Sequence, residues 1–541
     1  MITTTPPESI GWPRPLPQII LGLVVFWVCL LAISIPGQRL IGDEAWLGEQ
    51  AYFLVQDGVI RSELFHGYAM QDERILITHK LFILLGALST SLLGWGITPL
   101  RLLSLLAGVA TLAILVWELR RSSGRASPAR WLIGLAALIG MPLYFKFINL
   151  YRPEVMLGLC GLASYVTLAR YLEQNKSTRL VASAVLAGAA VLVHVNGMMF
   201  IAAGMVVLAL HRRWSAVFVY LLLSAAISSL YFVDVIGRWD LLIRQLQHVP
   251  SLTAEDFRWS TPFWRVLDEH KRLFRKPEII FTTLLSGSAF VYAWVRCRQW
   301  RRSLLAYAVV AVFGLAAVAQ AKTTPYAIPL MPLFALVIAK ATAHWLDTRT
   351  ATPRWVTVSA VVLWSLFLAH SMFENSMTAL TGKQDVAADN RRIAELLPRG
   401  ATVLAPMEFI FNEIDRFDVR AVMLAELLLA GHHDAELSMD QIEDFARQHG
   451  ITALVFNRRQ RDRFGLLDAR RGDRYGSFVV AASMEDGTIV LLHAPAARYG
   501  MSESSSPHGT CSVPDWCGSM PSPVACCSNT PTTDPADSRA G

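Results

Sequence analysis

The chain has 541 residues, of which 53% are hydrophobic and only 17% are charged, and its mean hydropathy is +0.40. Soluble domains carry about 25% charged residues, so this composition excludes an ordinary soluble protein and indicates a membrane protein. The formal net charge of +7 is small for this length and lies mainly in short loops, which argues against nucleic-acid binding and for a charge bias that sets membrane topology.

Apolar runs of about 20 residues, long enough to cross a bilayer, predict membrane helices along residues 16–375. Residues 180–210 are interrupted by a polar break at His194–Gly197, so we expect two short helices there. Residues 80–95 are apolar but short. The other predicted spans are 16–36, 99–118, 131–149, 153–172, 214–236, 278–295, 303–320, 324–345 and 355–373. The fold class is therefore an α-helical polytopic membrane protein with about 11–13 transmembrane helices.

Five basic loops decide the predicted topology: residues 120–130, 176–179, 211–213, 296–302 and 349–354. The positive-inside rule places all of them in the cytoplasm if the N-terminus is cytoplasmic and residues 80–95 stay at the outer face. This arrangement corresponds to about eleven crossings. The outer loop 37–79 and everything after about residue 374 then face outside.

Residues 385–495 predict a small extracytoplasmic α/β domain. An amphipathic helix spans Val386–Leu397, and a capping box of Ser438 and Gln441 opens a second helix that Gly450 ends. We expect this domain to bind the acceptor, because it shows no catalytic cluster. Its predicted strands are Ala401–Pro406, Ile451–Phe456, Ser477–Ser483 and Thr488–Ala494.

The two ends of the chain, residues 1–15 and 500–541, are rich in proline with threonine or serine and are predicted to be disordered. Elsewhere, Cys29, Cys160 and Cys297 lie singly in or near apolar runs. Their spacing excludes a disulfide framework and a cysteine-based metal site.

An acidic pair, Asp43-Glu44, follows the first span directly. It makes a poor membrane anchor, since anchors are usually aromatic or basic. In one interpretation Asp43 is the N-cap of a surface helix, with Glu44 stabilised by the helix dipole. In the other, Asp43 is the base of an enzyme that works at the membrane surface.

Further polar residues lie at span ends on the same predicted side: Arg74, Lys80, Arg152, Glu154, His194, Lys322 and Tyr326. Ordinary explanations exist for several of them. Lys80 would snorkel to lipid headgroups, Arg152 and Glu154 would pair with each other, and His194 would be a turn residue. The functional alternative for Lys80 is contact with a lipid phosphate.

Gly42-Asp43-Glu44 after a first span, His79-Lys80 before an apolar run, Arg152-Pro153-Glu154, and Lys322-x-x-x-Tyr326-x-x-Pro-x-x-Pro together resemble the GT-C-fold glycosyltransferases. More narrowly, they resemble the bacterial branch similar to protein O-mannosyltransferases and the lipid A aminoarabinose transferase. The resemblance covers residues 15–375.

This resemblance implies an inverting transfer of a sugar from a polyprenyl-phosphate carrier to a lipid, glycan or protein hydroxyl, at the outer face of the bacterial plasma (inner) membrane. Asp43 matches the family's base and Glu44 its acidic neighbour. We expect Lys80, Arg74, Arg152 and Lys322 to bind the donor phosphate. The expected substrate-binding residues are Glu154, His194 and Tyr326.

Two positions depart from the family pattern. Leu81-Phe82 replaces the prolines that usually follow the lysine, and His79 stands where a carboxylate usually precedes it. A divalent-cation cofactor is therefore left open, and no metal ligand is assigned.

Two alternatives belong to other functional classes. A transporter or flippase of a lipid-linked sugar would share interrupted helices but should show matching interruptions in two halves, and the sequence shows no convincing pair. A structural subunit would use residues 385–495 to bind a partner or glycan. The enzyme is favoured because inverting transfer needs one base and a few cations, and no nucleotide-binding glycine-rich loop.

Overall fold

The computed structural model describes residues 15–122, 129–248, 261–319, 322–348, 352–381, 383 and 385–494. The predicted disordered tail 500–541 lies outside the described residues, as does the N-terminal segment before residue 15. The fold is mostly helical.

Seventeen α-helices precede the C-terminal domain within the described residues. They are α1 Pro15–Ser34, α2 Gly42–Gln56, α3 Lys80–Leu93, α4 Ile97–Ser122, α5 Ala129–Gly140, α6 Pro142–Phe147, α7 Pro153–Gln174, α8 Ser177–Val193, α9 Met198–Leu210, α10 Trp214–Ser229, α11 Trp239–Gln247, α12 Thr261–Leu267, α13 Glu269–Phe274, α14 Pro277–Arg296, α15 Ala306–Val318, α16 Met331–Asp347 and α17 Arg354–Leu380.

Among the described residues, eight helical segments are long and apolar enough to cross a membrane, and four more are apolar but shorter. The break predicted at His194–Gly197 is confirmed, because α8 ends at Val193 and α9 begins at Met198. The run predicted as one span, 131–149, is not one continuous helix. That run divides into α5 and α6 at Met141, because Pro142 lacks the N–H needed to continue α5 and instead occupies the first turn of α6.

The basic helix ends meet at one end of the helical layer. Arg121 at the end of α4 pairs with Glu173 at the end of α7 at 2.7 Å, and Arg130 on α5 pairs with Asp347 at the end of α16 at 2.5 Å. A helix of 26 residues such as α4 is about 39 Å long. The polar residues near the starts of α4 and α7 therefore lie at the opposite end of the layer.

Both ends of α3 lie on that opposite side. Lys80 begins the helix beside the predicted site, and Trp95, just beyond its end, stacks on Phe411 of the C-terminal domain with ring centroids 5.4 Å apart. At 14 residues the helix is about 21 Å long, too short to cross the bilayer core. This geometry fits the expectation that residues 80–95 do not cross independently.

The C-terminal domain is a six-stranded sheet with flanking helices, in the order β2-β1-β3-β6-β5-β4. Strands β2, β1 and β3 are parallel, and β3, β6, β5 and β4 are successively antiparallel. The predicted capping box of Ser438 and Gln441 is confirmed. The elements are α18 Val386–Leu396, β1 Thr402–Ala405, β2 Asp418–Ala421, α19 Val422–Ala430, α20 Met439–Gln448, β3 Ala453–Phe456, α21 Arg458–Arg463, β4 Arg474–Tyr475, β5 Phe478–Ser483 and β6 Ile489–His493.

This domain is bound to the outer loop 37–79 by backbone and side-chain contacts. Ala421 N–H donates to the carbonyl of Leu64 at 3.0 Å, and Arg420 pairs with Glu63 at 2.8 Å. Tyr52 on α2 donates its hydroxyl hydrogen bond to Asp415. Loop and domain therefore form one packed body.

Inside that loop, Glu49 is a buried carboxylate. It accepts hydrogen bonds from the N–H groups of Glu63 and Leu64, at 2.8 and 3.0 Å, and from the hydroxyl of Ser62. Burial nevertheless raises the pKa of Glu49 to about 8, above its usual value of 4.5. The folded protein therefore holds a proton at Glu49 that the unfolded chain releases at lower pH.

We predict that stability falls as pH rises from 5 to 8.5, because a raised folded-state pKa gives stabilisation that is fully present below about 4.5 and lost as pH rises through about 8. Glu49→Gln keeps an oxygen acceptor and a donor for Ser62 but removes the titration, so its Tm should depend less on pH. Thermal unfolding of the detergent-solubilised chain measures this, with the exposed Glu485→Gln as control. Identical pH profiles for wild type and Glu49→Gln would contradict the prediction.

Candidate active site

The site begins at the first turn of α2. Ile41 is the N-cap residue, and its N–H donates to the Glu44 carboxylate at 3.2 Å. The interpretation of Asp43 as N-cap is therefore wrong, since Asp43 lies inside the first turn. The start of α2 contacts the C-terminal domain, because a Cβ at Gly42 would lie 2.4 Å from the terminal methyl group of the Met407 side chain. The Asp43 side chain remains 53% exposed.

Glu44 is fully buried and its oxygens are occupied by donors. Arg101 on α4 binds it with two hydrogen bonds, from Nε at 2.9 Å and from Nη2 at 2.8 Å, and the Tyr151 N–H donates at 2.8 Å. The same carboxylate accepts from Ile41. Glu44 thus joins α2, α4 and the segment before α7, and it lies behind Asp43 rather than in the open site.

Arg152 lies between two carboxylates. Its Nη1 donates to Asp43, and its Nη2 donates to Glu154 at 2.7 Å. Glu154 is buried in the first turn of α7, whereas Arg152 is the extended residue that precedes that helix. The guanidinium therefore holds Asp43 in place and compensates the buried charge of Glu154. We call Asp43, Arg152 and Glu154 the carboxylate cluster.

Two histidines and a tyrosine adjoin this cluster. The rings of His79 and His194 are stacked with centroids 4.6 Å apart, and Tyr326 meets His194 edge-on at 5.7 Å. His194 Nδ1 accepts a hydrogen bond from the Asn196 N–H at 3.0 Å, so a neutral ring at His194 carries its proton on Nε2. Burial, followed by the neighbouring His194, lowers the pKa of His79 to about 3, so this ring is neutral at physiological pH.

Lys80 begins α3 and lies one residue beyond His79. Its Nζ forms an ion pair with Asp234, in the segment between α10 and α11, and lies 5.0 Å from the centre of the Tyr231 ring. Arg74 lies close enough to Lys80 for the two charges to repel each other. Lys80 thus follows His79 directly in the chain, while its side chain pairs with a carboxylate on a different segment.

Lys322 lies on the far side of Tyr326. It binds Glu269 on α13 at 3.1 Å and the carbonyl of Ala316 at 2.8 Å. Arg272 on the same short helix pairs with Glu269 at 2.7 Å and approaches the Tyr326 ring at 5.9 Å. The structure thus separates Lys322 from the carboxylate cluster by the Tyr326 ring.

Residues 81–237 match the family model described as dolichyl-phosphate-mannose-protein mannosyltransferase. ArnT from Cupriavidus metallidurans, solved with undecaprenyl phosphate bound, is similar in structure with a TM-score of 0.57 and 14% identity, over 88% of this chain and 98% of that chain. The chain is a membrane glycosyltransferase of the GT-C fold.

Two further structures share this fold with the glycosyltransferase. One is the oligosaccharyltransferase AglB from Archaeoglobus fulgidus, in complex with an inhibitory peptide and a dolichol-phosphate, with a TM-score of 0.50 and 10% identity over 83% of this chain and 70% of that chain. The other is an Archaeoglobus fulgidus oligosaccharyltransferase in complex with Zn and sulfate, with a TM-score of 0.52 and 9% identity over 88% and 73%. A search of curated protein sequences finds no match.

A divalent cation does not fit between the carboxylates of the glycosyltransferase. The guanidinium of Arg152 already lies between Asp43 and Glu154 and hydrogen-bonds to both. A dication at that point would face a fixed positive charge at close range, which is strongly unfavourable in a partly buried site. Within the described residues, no three acidic, histidine or cysteine side chains form a group suited to a metal ion.

The structure of the glycosyltransferase thus brings most of the predicted site residues together. Asp43, Arg152, Glu154, His194 and Tyr326 form one continuous group, with Lys80 and Arg74 beside it. Glu44 lies behind the group and Lys322 beyond Tyr326. Sequence reasoning missed the charged partners Arg101, Asp234, Glu269 and Arg272. An isolated charge close to an apolar run was the signal available for Arg101 and Asp234, whereas Glu269 and Arg272 lie in a densely charged stretch that gave no such signal.

We predict that Glu44→Gln destabilises the glycosyltransferase far more than Asp43→Asn. The first change leaves Arg101 without its charged partner in a buried site, a loss of about 3 kcal/mol in the free energy of unfolding. The second removes a partner from a half-exposed ion pair, a loss of about 1 kcal/mol or less. Unfolding of the detergent-solubilised variants measures both. Equal losses for the two variants would contradict the assignment of Glu44 as the structural carboxylate.

Proposed function

We propose that the glycosyltransferase moves a sugar from a polyprenyl-phosphate carrier to an acceptor hydroxyl, with inversion, and that Asp43 is the base. The observation that carries this proposal is the position of Asp43. Its carboxylate is half exposed and is held by Arg152. Its charge also acts on the His79 ring, and Lys80 is the next residue of the chain. A base and a phosphate-binding cation on one surface are the parts that a direct displacement requires.

The proposed step is a single displacement at the anomeric carbon. Asp43 takes the proton of the acceptor hydroxyl as its oxygen forms the new bond to that carbon. The bond from the anomeric carbon to the phosphate oxygen breaks, and its electron pair remains on the phosphate. Attack on the face opposite the leaving phosphate inverts the configuration. Arg152 holds Asp43 in its orientation throughout.

Lys80 is the strongest candidate for binding the donor phosphate, with Arg74 beside it. Its partner, Asp234, is one partly exposed carboxylate, so a phosphate needs to displace only that group. Arg152 is bound by two carboxylates, and Lys322 by one carboxylate and main-chain carbonyls. Phosphate contact by either of these two would break more interactions, so we propose positioning roles for them.

Glu154, His194 and Tyr326 are proposed to contact the transferred sugar. Around the Arg152 guanidinium, Glu154 supplies a hydrogen-bond acceptor, His194 a donor and Tyr326 a hydroxyl group. Sugar hydroxyls bind to such mixed sets of donors and acceptors. The neutral His79 ring stacked on His194 adds a polar surface without adding charge. Neutral rings beside the cationic group leave Lys80 and Arg74 as the local source of positive charge for the phosphate.

The charge distribution supports an active site on the extracytoplasmic face of the plasma membrane. Arg121 and Arg130 belong to basic loops that lie at the end of the helical layer opposite the carboxylate cluster. If the positive-inside rule holds, that basic end is cytoplasmic and the site faces outward. The C-terminal domain, bound to loop 37–79, then also lies outside.

A cavity of about 620 Å³ in the C-terminal domain, bordered by Arg39 and Leu40 of loop 37–79, supports binding of the acceptor there. It lies at the carboxyl ends of the parallel strands β1 and β3, where α/β sheets commonly bind ligands. Arg39 and Glu408 line its end nearest Asp43, and Asp389, Asn457 and Arg458 line its sides. Its mixed polar lining suits a lipid headgroup, a glycan or a peptide.

We predict that Asp43→Asn reduces sugar transfer by about 100-fold or more, because removal of a general base typically costs 10²–10⁴ in rate. Transfer or slow donor hydrolysis from a set of radiolabelled polyprenyl-phosphate sugars measures this. Glu73→Gln, an exposed carboxylate in the same outer loop, is the matched control and should retain activity. Full activity of Asp43→Asn would remove Asp43 as the base.

The same assay separates the enzyme from the alternative transporter or flippase. Wild-type protein that forms a glycosylated or hydrolysed product is an enzyme. Wild-type protein that moves intact donor between leaflets of a vesicle, with no product formed and no effect of Asp43→Asn, would support the transporter.

A further inference from the structure

The ion pair of Lys80 and Asp234 joins the start of α3 to the segment between α10 and α11. The Lys80 side chain is largely buried and that of Asp234 is partly exposed, with 13% and 28% of their surfaces accessible. Asp234 faces Lys80, with Tyr231 on its own segment and the Arg238 guanidinium 3.4 Å from its carbonyl oxygen. In the donor-free protein, Asp234 therefore supplies the negative charge that a buried lysine requires.

The segment that carries Asp234 is held in place independently of this pair. Val235 is fully buried and packs with Leu76 and Leu242. Gln245 on α11 accepts the Leu76 N–H at 2.9 Å and donates to the Arg74 carbonyl at 2.6 Å. Because these contacts fix the backbone on both sides, Asp234 stays beside Lys80 when another anion binds there.

We propose that Asp234 promotes release of the polyprenyl-phosphate product by competing with it for Lys80. This inference rests on the proposed function, in which Lys80 binds the donor phosphate. Asp234 is then a positioning residue that acts through Lys80 and takes no part in bond making or breaking.

The charge on the carrier phosphate changes during the proposed reaction. The donor is a phosphodiester with one negative charge. When the bond from the anomeric carbon to oxygen breaks, its electron pair stays on the phosphate and the acceptor proton goes to Asp43. The product is a phosphomonoester, whose charge near pH 7 is about −1.5 to −2. Repulsion by Asp234 therefore rises at the moment when the product must leave.

Without Asp234, the higher charge of the product phosphate would slow its release and so slow turnover. Lys80 and Arg74 attract a doubly charged phosphate more strongly than a singly charged one, so the product would be held more tightly than the donor. A fixed carboxylate beside Lys80 offsets that preference. After release, Asp234 re-forms its ion pair with Lys80 and the lysine is never left buried without a partner.

The test is the affinity of the full-length protein for two probes, undecaprenyl phosphate and its singly charged methyl diester. We expect Asp234→Asn to bind the monoester about tenfold more tightly and the diester only about threefold more tightly, because the removed repulsion scales with probe charge. Asp234→Glu, which keeps the charge, should restore the wild-type ratio. In turnover, Asp234→Asn should show stronger inhibition by undecaprenyl phosphate than wild type.

The matched control is Asp240→Asn, an exposed carboxylate on α11, which should change neither affinity. Equal gains for the two probes, or weaker binding by Asp234→Asn, would show a merely structural role and overturn the inference. If Lys80→Ala weakens probe binding but Asp234→Asn leaves both affinities unchanged, this inference alone is overturned. If Lys80→Ala leaves the binding of both probes unchanged, the proposed phosphate site and this inference are overturned together.

Discussion

The site depends on one buried carboxylate, Glu44. A buried charge is tolerated only when it is paired and hydrogen-bonded, and Glu44 meets that demand with Arg101, the Tyr151 N–H and the Ile41 N–H. Those partners come from three parts of the chain. Their convergence fixes the start of α2 against the residue before Arg152. Asp43, the neighbour of Glu44, is thereby brought to the Arg152 guanidinium, so the structural carboxylate positions the proposed base.

A second feature is the close succession of charges along one surface. The guanidinium of Arg152 lies between Asp43 and Glu154, and Lys80 pairs with Asp234 one residue beyond the stacked His79. Arg152 and Lys80 each have at least one carboxylate partner. Anion binding must then proceed by exchange of partners. This constraint makes Lys80, which has a single partly exposed carboxylate partner, the most suitable site for a phosphate.

The outer loop 37–79 and the C-terminal domain stabilise each other. The loop has little regular structure beyond α2, and its backbone relies on Glu49 and on the contacts of Glu63 and Leu64 with strand β2. The domain in turn closes one side of the start of α2 through Met407. The cavity at the carboxyl ends of β1 and β3 is lined mainly by the domain, and Arg39 and Leu40 of the loop border it. We therefore regard the domain as part of the site that the acceptor reaches.

The sequence alone determined the features that depend on local pattern. Apolar runs predicted the membrane helices, a polar break predicted the turn between α8 and α9, and Ser438 with Gln441 predicted the start of α20, because span length, turn residues and capping act over a few neighbouring residues. Charge bias also predicted that the site residues lie on one side of the membrane.

Only the tertiary structure decided which charges pair. The partner of Glu44 lies 57 residues away and that of Lys80 lies 154 residues away. Such pairing depends on which helices become neighbours, and no local pattern encodes that. Hence Glu44, whose sequence neighbour is the proposed base, is a buried structural group, because α4 packs against α2 and presents Arg101 to it.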